Sequence, residues 1–270
     1  MNALEKLKEK NNNNKFICVG LDSDIKKIPQ HLKEKKNPIL EFNKEIIEAT
    51  KDNAAAFKFN FAFYEKDGAE GLKTLKESIS FIPKDTLIIG DAKRGDIGNT
   101  SQMYAKAIFE YFNCDASTIH PYMGEDSVAP FLDFKNKLNF ILALTSNPGA
   151  EDFEKLELRD GSFLFQKVIE NVKAWNKNNN CGIVFGATKS KELEENIQLF
   201  ERLPVLLPGI GAQGGSLEEV INIFKNFMPY NFLINISRGI IYKGSGKDFS
   251  EDSKKELINY NKRIPKILSE

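Results

Sequence analysis

Thr86-Leu87-Ile88-Ile89-Gly90-Asp91-Ala92-Lys93-Arg94-Gly95-Asp96-Ile97-Gly98-Asn99-Thr100 reads as an apolar strand that ends in charge and gives way to a helix. Four charges, two of each sign, fall within the six residues from Asp91 to Asp96. Side chains alternate along an extended chain, so Asp91 and Lys93 project to one side. Gly95 permits a turn that returns Asp96 towards them. A lysine held between two carboxylates can transfer a proton and stabilise a developing charge. The same charges also suit the solvated start of a helix, with Asp96 or Asn99 near its N-cap.

The strand-then-helix pattern recurs along the whole chain. Apolar runs at 15–22, 54–61, 86–91, 116–120, 139–145, 182–187, 203–209 and 232–237 read as eight strands. Helical spacing of apolar residues marks segments at 37–51, 65–78, 100–112, 127–134, 162–176, 190–200, 216–227 and 251–268, after a short amphipathic helix at the N-terminus. Strands this apolar cannot face water on one side. Eight of them alternating with helices favour an α/β fold of the (β/α)8 TIM-barrel type over an open sheet. The 270 residues suit such a barrel, commonly about 250 residues as one unit. No composition break divides them, so residues 1–270 are expected to form a single domain. The asparagine runs 11–14 and 178–180 read as exposed turns.

With 38 basic and 38 acidic residues the formal charge is zero, which gives no global field for nucleic acid or an anionic membrane. Cys18, Cys114 and Cys181 are far apart and lie in or beside β-like runs. They read as buried, reduced thiols rather than a disulfide framework or a zinc site. No apolar run approaches the roughly 18 residues of a membrane span, and the N-terminus lacks the apolar centre of a signal peptide. A cytoplasmic enzyme is the expectation.

Barrel enzymes build their sites at the C-terminal ends of the strands. Here those ends carry Asp22, Lys58, Asp91 with Lys93, Thr145-Ser146-Asn147-Pro148-Gly149, Pro208-Gly209-Ile210-Gly211-Ala212-Gln213-Gly214-Gly215, and Ser237-Arg238-Gly239. Lysine is almost never buried unless paired, so Lys58, inside Phe57-Lys58-Phe59-Asn60-Phe61, needs acids such as Asp91 and Asp96. Lys58, Asp91, Lys93 and Asp96 then form an electrically balanced tetrad. Glycine-rich amides after strand seven and Arg238 after strand eight suit a phosphate. His120, before Pro121, reads as structural.

These motifs, together with Gly20-Leu21-Asp22, resemble the orotidine 5'-phosphate decarboxylase family, and its longer branch in particular, over nearly the whole chain. The resemblance implies conversion of orotidine 5'-monophosphate to uridine 5'-monophosphate and carbon dioxide, in pyrimidine biosynthesis, with neither metal nor organic cofactor. It implies that Lys93 stabilises the vinylic carbanion left at C6 and then protonates it. Asp91 would lie beside the departing carboxylate, and Lys58 would hold the tetrad and touch the ribose. Asp22 would bind ribose hydroxyls, Ser146 the pyrimidine edge, and Gln213, Arg238 and Gly239 the phosphate. Asp96 and Thr100 would cross a homodimer interface into the neighbouring site. The alternatives are a magnesium-dependent sugar-phosphate decarboxylase or aldol-type synthase of the same barrel group, and a non-catalytic barrel that binds a phosphate ligand. The first places a glutamate metal ligand where this chain has Lys58.

Overall fold

A strand that is apolar on both faces needs cover on both faces, and a ring of strands inside a ring of helices supplies it. A computed structural model describes residues 1–211, 214–227 and 231–269 and shows this arrangement. The strands β1 (Ile17–Gly20), β2 (Ala56–Asn60), β3 (Leu87–Arg94), β4 (Ala116–Ile119), β5 (Leu138–Leu144), β6 (Cys181–Phe185), β7 (Val205–Pro208) and β8 (Phe232–Ile236) pair in sequence order, all parallel. The β1–β8 pairing, with Cys18 opposite Asn235, closes the barrel.

The helices are α1 (Ala3–Asn12), α2 (Pro38–Thr50), α3 (Ala62–Glu65), α4 (Gly68–Ile79), α5 (Gly98–Lys106), α6 (Glu125–Leu132), α7 (Leu164–Trp175), α8 (Ser190–Phe200), α9 (Leu217–Phe227), α10 (Arg238–Ile241) and α11 (Phe249–Ser269). The helix expected over 65–78 is broken. Gly68 takes a φ of +61°, and a Cβ on Gly71 would lie 1.9 Å from the Tyr64 carbonyl oxygen, so α4 starts afresh against the end of α3. The short α10 was not legible in the apolar spacing.

Alternation along the strands sorts the core into two layers. Ile17, Val19, Phe57, Phe59, Ile183, Val205 and Ile234 point outwards and pack with the helices. Cys18, Ala56, Ile89, Ala116, Phe140, Val184, Leu206 and Leu233 point inwards and fill the barrel. Ala3 and Leu7 of α1 belong to that inner layer, so the N-terminal helix plugs the end of the barrel where the strands begin.

Polar ties fix the plug. The Lys6 ammonium bonds Asp115 at 2.8 Å and that of Lys10 bonds Asp85 at 2.6 Å, just before β4 and β3. The Ala3 N–H donates to the Asn136 carbonyl at 3.0 Å. Asn11 corrects the expectation of an exposed turn. It is buried, and its side-chain amide mimics a strand neighbour, donating to the Phe232 carbonyl and accepting from the Phe232 N–H, both at 3.2 Å. Asn180 is likewise buried and donates to the Leu132 carbonyl at 2.9 Å, whereas residues 12–14 and 178–179 are exposed as expected. The three cysteines are buried free thiols, and burial pushes the Cys18 thiol up to about 12.

Leu7→Ala removes a fully buried side chain from the plug. It is expected to cost roughly 2–5 kcal/mol of unfolding free energy, seen as a lower urea midpoint. An unchanged midpoint would mean that α1 contributes nothing to the stability of the barrel.

Candidate active site

At the opposite end the inner layer becomes polar. Lys58 sits on β2 between β1 and β3, with its flanking phenylalanines facing the helices. Its buried ammonium bonds Asp91 Oδ2 at 2.9 Å and lies 3.5 Å from Asp22 Oδ1. Asp91 Oδ1 takes the Lys93 ammonium at 2.5 Å and the Thr118 hydroxyl at 2.9 Å. The half-exposed Lys93 side chain thus opens to the mouth while its charge is held by a buried carboxylate.

Lys93 was expected beyond the strand, but β3 runs on to Arg94, and Lys93 adopts a φ of +47°, unusual for a residue with a side chain. Arg94 is anchored outside the cluster by an ion pair with Glu65 and by the Tyr104 ring.

Burial works against the Lys58 ammonium, yet attraction to Asp22 and then Asp91 outweighs it and raises its pKa above the ordinary lysine value. Burial also opposes the Asp91 carboxylate. Lys58 and then Lys93 overcome that cost and hold its pKa below the usual carboxylate range.

Within one chain the fourth charge of the cluster is Asp22, not Asp96. The Asp96 carboxylate accepts from the Ile97 N–H at 2.8 Å and makes no ion pair among the described residues. Gly95 does not turn it back, because the chain there packs on β4: a Cβ on Gly95 would lie 2.8 Å from the His120 carbonyl oxygen. From that contact the backbone leads outwards into α5, where Thr100 is exposed. His120 is exposed, and its Nδ1 accepts from the Tyr122 N–H at 3.1 Å.

The remaining strand ends ring the same mouth. Ser146 follows β5 and is closely approached by the chain after β6: a Cβ on Gly186 would lie 2.9 Å from its backbone nitrogen. After β7, Gly209, Gly211 and Gly214 all have positive φ, and the Gly215 N–H closes back on the Gly209 carbonyl at 3.1 Å. The Ser216 hydroxyl accepts from the Glu219 N–H at 3.3 Å, one half of the expected helix cap. Gln213 lies outside the described residues. Arg238, exposed at the start of α10 and next to Gly239, makes no ion pair among the described residues.

Asp22 Oδ1, Asn235 Oδ1 and Ser237 Oγ are buried there without hydrogen-bond partners among the described residues. Gly20 leaves room for them, since a Cβ there would meet Ser237 Oγ at 1.9 Å. Orphaned polar atoms at the mouth of a barrel are groups that a ligand can satisfy. Neither Thr118 nor Asn235 stood out in the sequence. The available signal was a polar side chain on the inward phase of an otherwise apolar strand.

Comparison with known proteins agrees with this arrangement. A family model described as Orotidine 5'-phosphate decarboxylase / HUMPS family matches residues 15–250. A curated protein named orotidine 5'-phosphate decarboxylase, from Flavobacterium johnsoniae, is 46% identical over 256 residues, which covers 94% of this chain and 93% of its own. One of the same name from Christiangramia forsetii is 50% identical over 241 residues, 87% of each chain. The solved structure of Leishmania donovani OMP decarboxylase superposes with a TM-score of 0.84 at 33% identity, covering 100% of both chains.

The ion cluster links stability to pH at both limits. The contribution of Asp91 is present above about pH 4, the unfolded-chain value, and fades as pH falls through its depressed folded value. That of Lys58 is present below about pH 10 and fades as pH rises through its raised folded value. Lys58→Met takes the Lys58 partner from the buried Asp91 carboxylate and is expected to destabilise the protein at pH 7 by on the order of 3–5 kcal/mol in urea unfolding. A loss below about 1 kcal/mol would show that Lys58 is not the counterion that keeps Asp91 ionised.

Proposed function

The chain belongs to the orotidine 5'-phosphate decarboxylase / HUMPS family, and from that premise we propose that it converts orotidine 5'-monophosphate to uridine 5'-monophosphate and carbon dioxide, a step of pyrimidine biosynthesis. The observation that carries this reading is the chain of ion pairs from Lys58 through Asp91 to Lys93 at the barrel mouth. The bond from C6 to the carboxylate breaks, its electron pair stays on C6, and carbon dioxide leaves. The Lys93 ammonium faces that developing charge and gives C6 its proton, and solvent then reprotonates the amine. Asp91, fixed by Lys58 and Thr118, aims Lys93 and lies beside the departing carboxylate. An ammonium preorganised in a partly dry mouth supplies both field and acid.

Around that centre, Asp22 and Lys58 hold the ribose hydroxyls, a role supported by Asp22 Oδ1, which has the Lys58 ammonium 3.5 Å away but makes no hydrogen bond among the described residues. Ser146 reads the pyrimidine edge. Arg238, Gly239 and Gln213 take the phosphate, which the exposed guanidinium of Arg238, without an ion pair among the described residues, favours. A metal-dependent sugar-phosphate reaction of the same barrel group is disfavoured by Lys58, whose ammonium stands where a carboxylate ligand is needed and already occupies Asp91 and Asp22.

The enzyme works as a homodimer in this reading. Ile97, Met103, Tyr104, Tyr122, Met123 and Phe153 are exposed on α5 and the loops after β3, β4 and β5, and a second copy would bury them. Asp96 and Thr100 lie on that surface and reach the partner's site. The buried free thiols support a reducing, cytoplasmic setting.

Purified protein mixed with orotidine 5'-monophosphate in excess EDTA is expected to lose orotate absorbance steadily. No turnover would refute the assignment, and turnover only with added magnesium would favour the metal-dependent alternative. Lys93→Ala and Asp96→Ala proteins should each be inactive, yet regain partial activity when co-refolded, because one mixed site then holds both intact groups. Absence of rescue would place Asp96 outside the shared site.

A further inference from the structure

The segment that carries Asp91 and Lys93 is a bulge. β3 and β4 pair at Gly90 with Ser117 and again at Arg94 with Ile119, so Asp91, Ala92 and Lys93 face the single residue Thr118. A regular ladder cannot serve three residues from one, and the Lys93 N–H loses its strand partner. The Thr118 hydroxyl takes that place, accepting from the Lys93 N–H at 3.0 Å and donating to Asp91 Oδ1 at 2.9 Å. An amide N–H can only donate, so the hydroxyl proton is committed to the carboxylate. The same carboxylate oxygen receives the Lys93 ammonium. The buried Thr118 therefore holds Lys93 at both ends, by its backbone directly and by its ammonium through Asp91.

We propose that Thr118 is a positioning residue, whose hydroxyl replaces the missing ladder bond of the β3 bulge and so fixes the left-handed Lys93 and its ammonium in the reactive geometry. The proposal rests on the decarboxylase reading for its kinetic consequence but not for its structural one. Thr118→Val keeps the shape and removes the hydroxyl, whereas Thr118→Ser keeps the hydroxyl and removes a methyl group. A packing role would favour valine over serine, and the proposed role requires the reverse.

The test is steady-state kinetics on orotidine 5'-monophosphate together with hydrogen exchange of the Lys93 backbone amide, with folding of each variant followed by thermal melting. Thr118→Val is expected to lower kcat roughly 10- to 100-fold with KM within about threefold, and to speed Lys93 amide exchange at least about tenfold. Thr118→Ser is expected to stay within about threefold of the unmodified protein in all three quantities. If Thr118→Val does not fold, Thr118→Ala carries the same comparison. An unchanged kcat in the valine protein, an equal loss in the serine protein, or unchanged Lys93 exchange would overturn the proposal. If the unmodified protein does not decarboxylate the nucleotide, the activity reading fails, and the Lys93 exchange comparison still decides the role of Thr118.

Discussion

A lysine ammonium buried inside a barrel of apolar strands is the constraint on which the rest of this site depends. Taken out of water alone, such a charge would cost far more than a domain's net stability, so it must meet carboxylates. Lys58 meets two, one on the neighbouring β3 and one just past the end of the neighbouring β1. Register follows from charge. With Gly20 opposite Lys58, the next turn of pleat brings Asp22 within reach, and with Asn60 opposite Asp91 the second acid comes in from the other side. Lys58 occupies one oxygen of Asp91 and leaves the other for Lys93 and Thr118. Groups that act at the mouth are thus aligned by a residue that is itself withdrawn from it.

The two ends of the barrel divide the work. Where the strands begin, the inner layer is apolar and closed by Ala3 and Leu7. Where they end, the same inward phase carries Lys58, Asp91, Thr118 and Asn235. The packed lower half holds the backbone of the upper half rigid, so a carboxylate and an ammonium can be kept in contact there.

How far the sequence could be read depended on the range of the interaction involved. Strands buried on both faces announce themselves locally, and so does a lysine set among phenylalanines, which is why the barrel and Lys58 were legible. The bulge was not, because it exists only as a mismatch between β3 and β4. The return of Asp96 to the cluster of its own chain failed for the same reason: reading Gly95 as a free turn ignored the His120 backbone that packs against it. Asn11 and Asn180 read as surface turns, since composition cannot tell an asparagine that faces water from one that substitutes for a missing peptide group. Alternation within Ala116-Ser117-Thr118-Ile119 did hold the information that Thr118 points inwards, but not what it would find there.

The plug formed by α1 also has a meaning in time. Its ties join residues 109 apart in the case of Lys6 and Asp115, and 221 apart for Asn11 and Phe232. None of these contacts exists until β3, β4 and β8 have taken their places, although α1 precedes all of them along the chain. Such a helix gains little from its own length and waits on the most distant part of the chain. The seal is therefore made late in folding, and contacts made late mainly slow unfolding rather than speed folding. On this view the first dozen residues act as a latch, setting how long the finished barrel lasts more than how fast it forms.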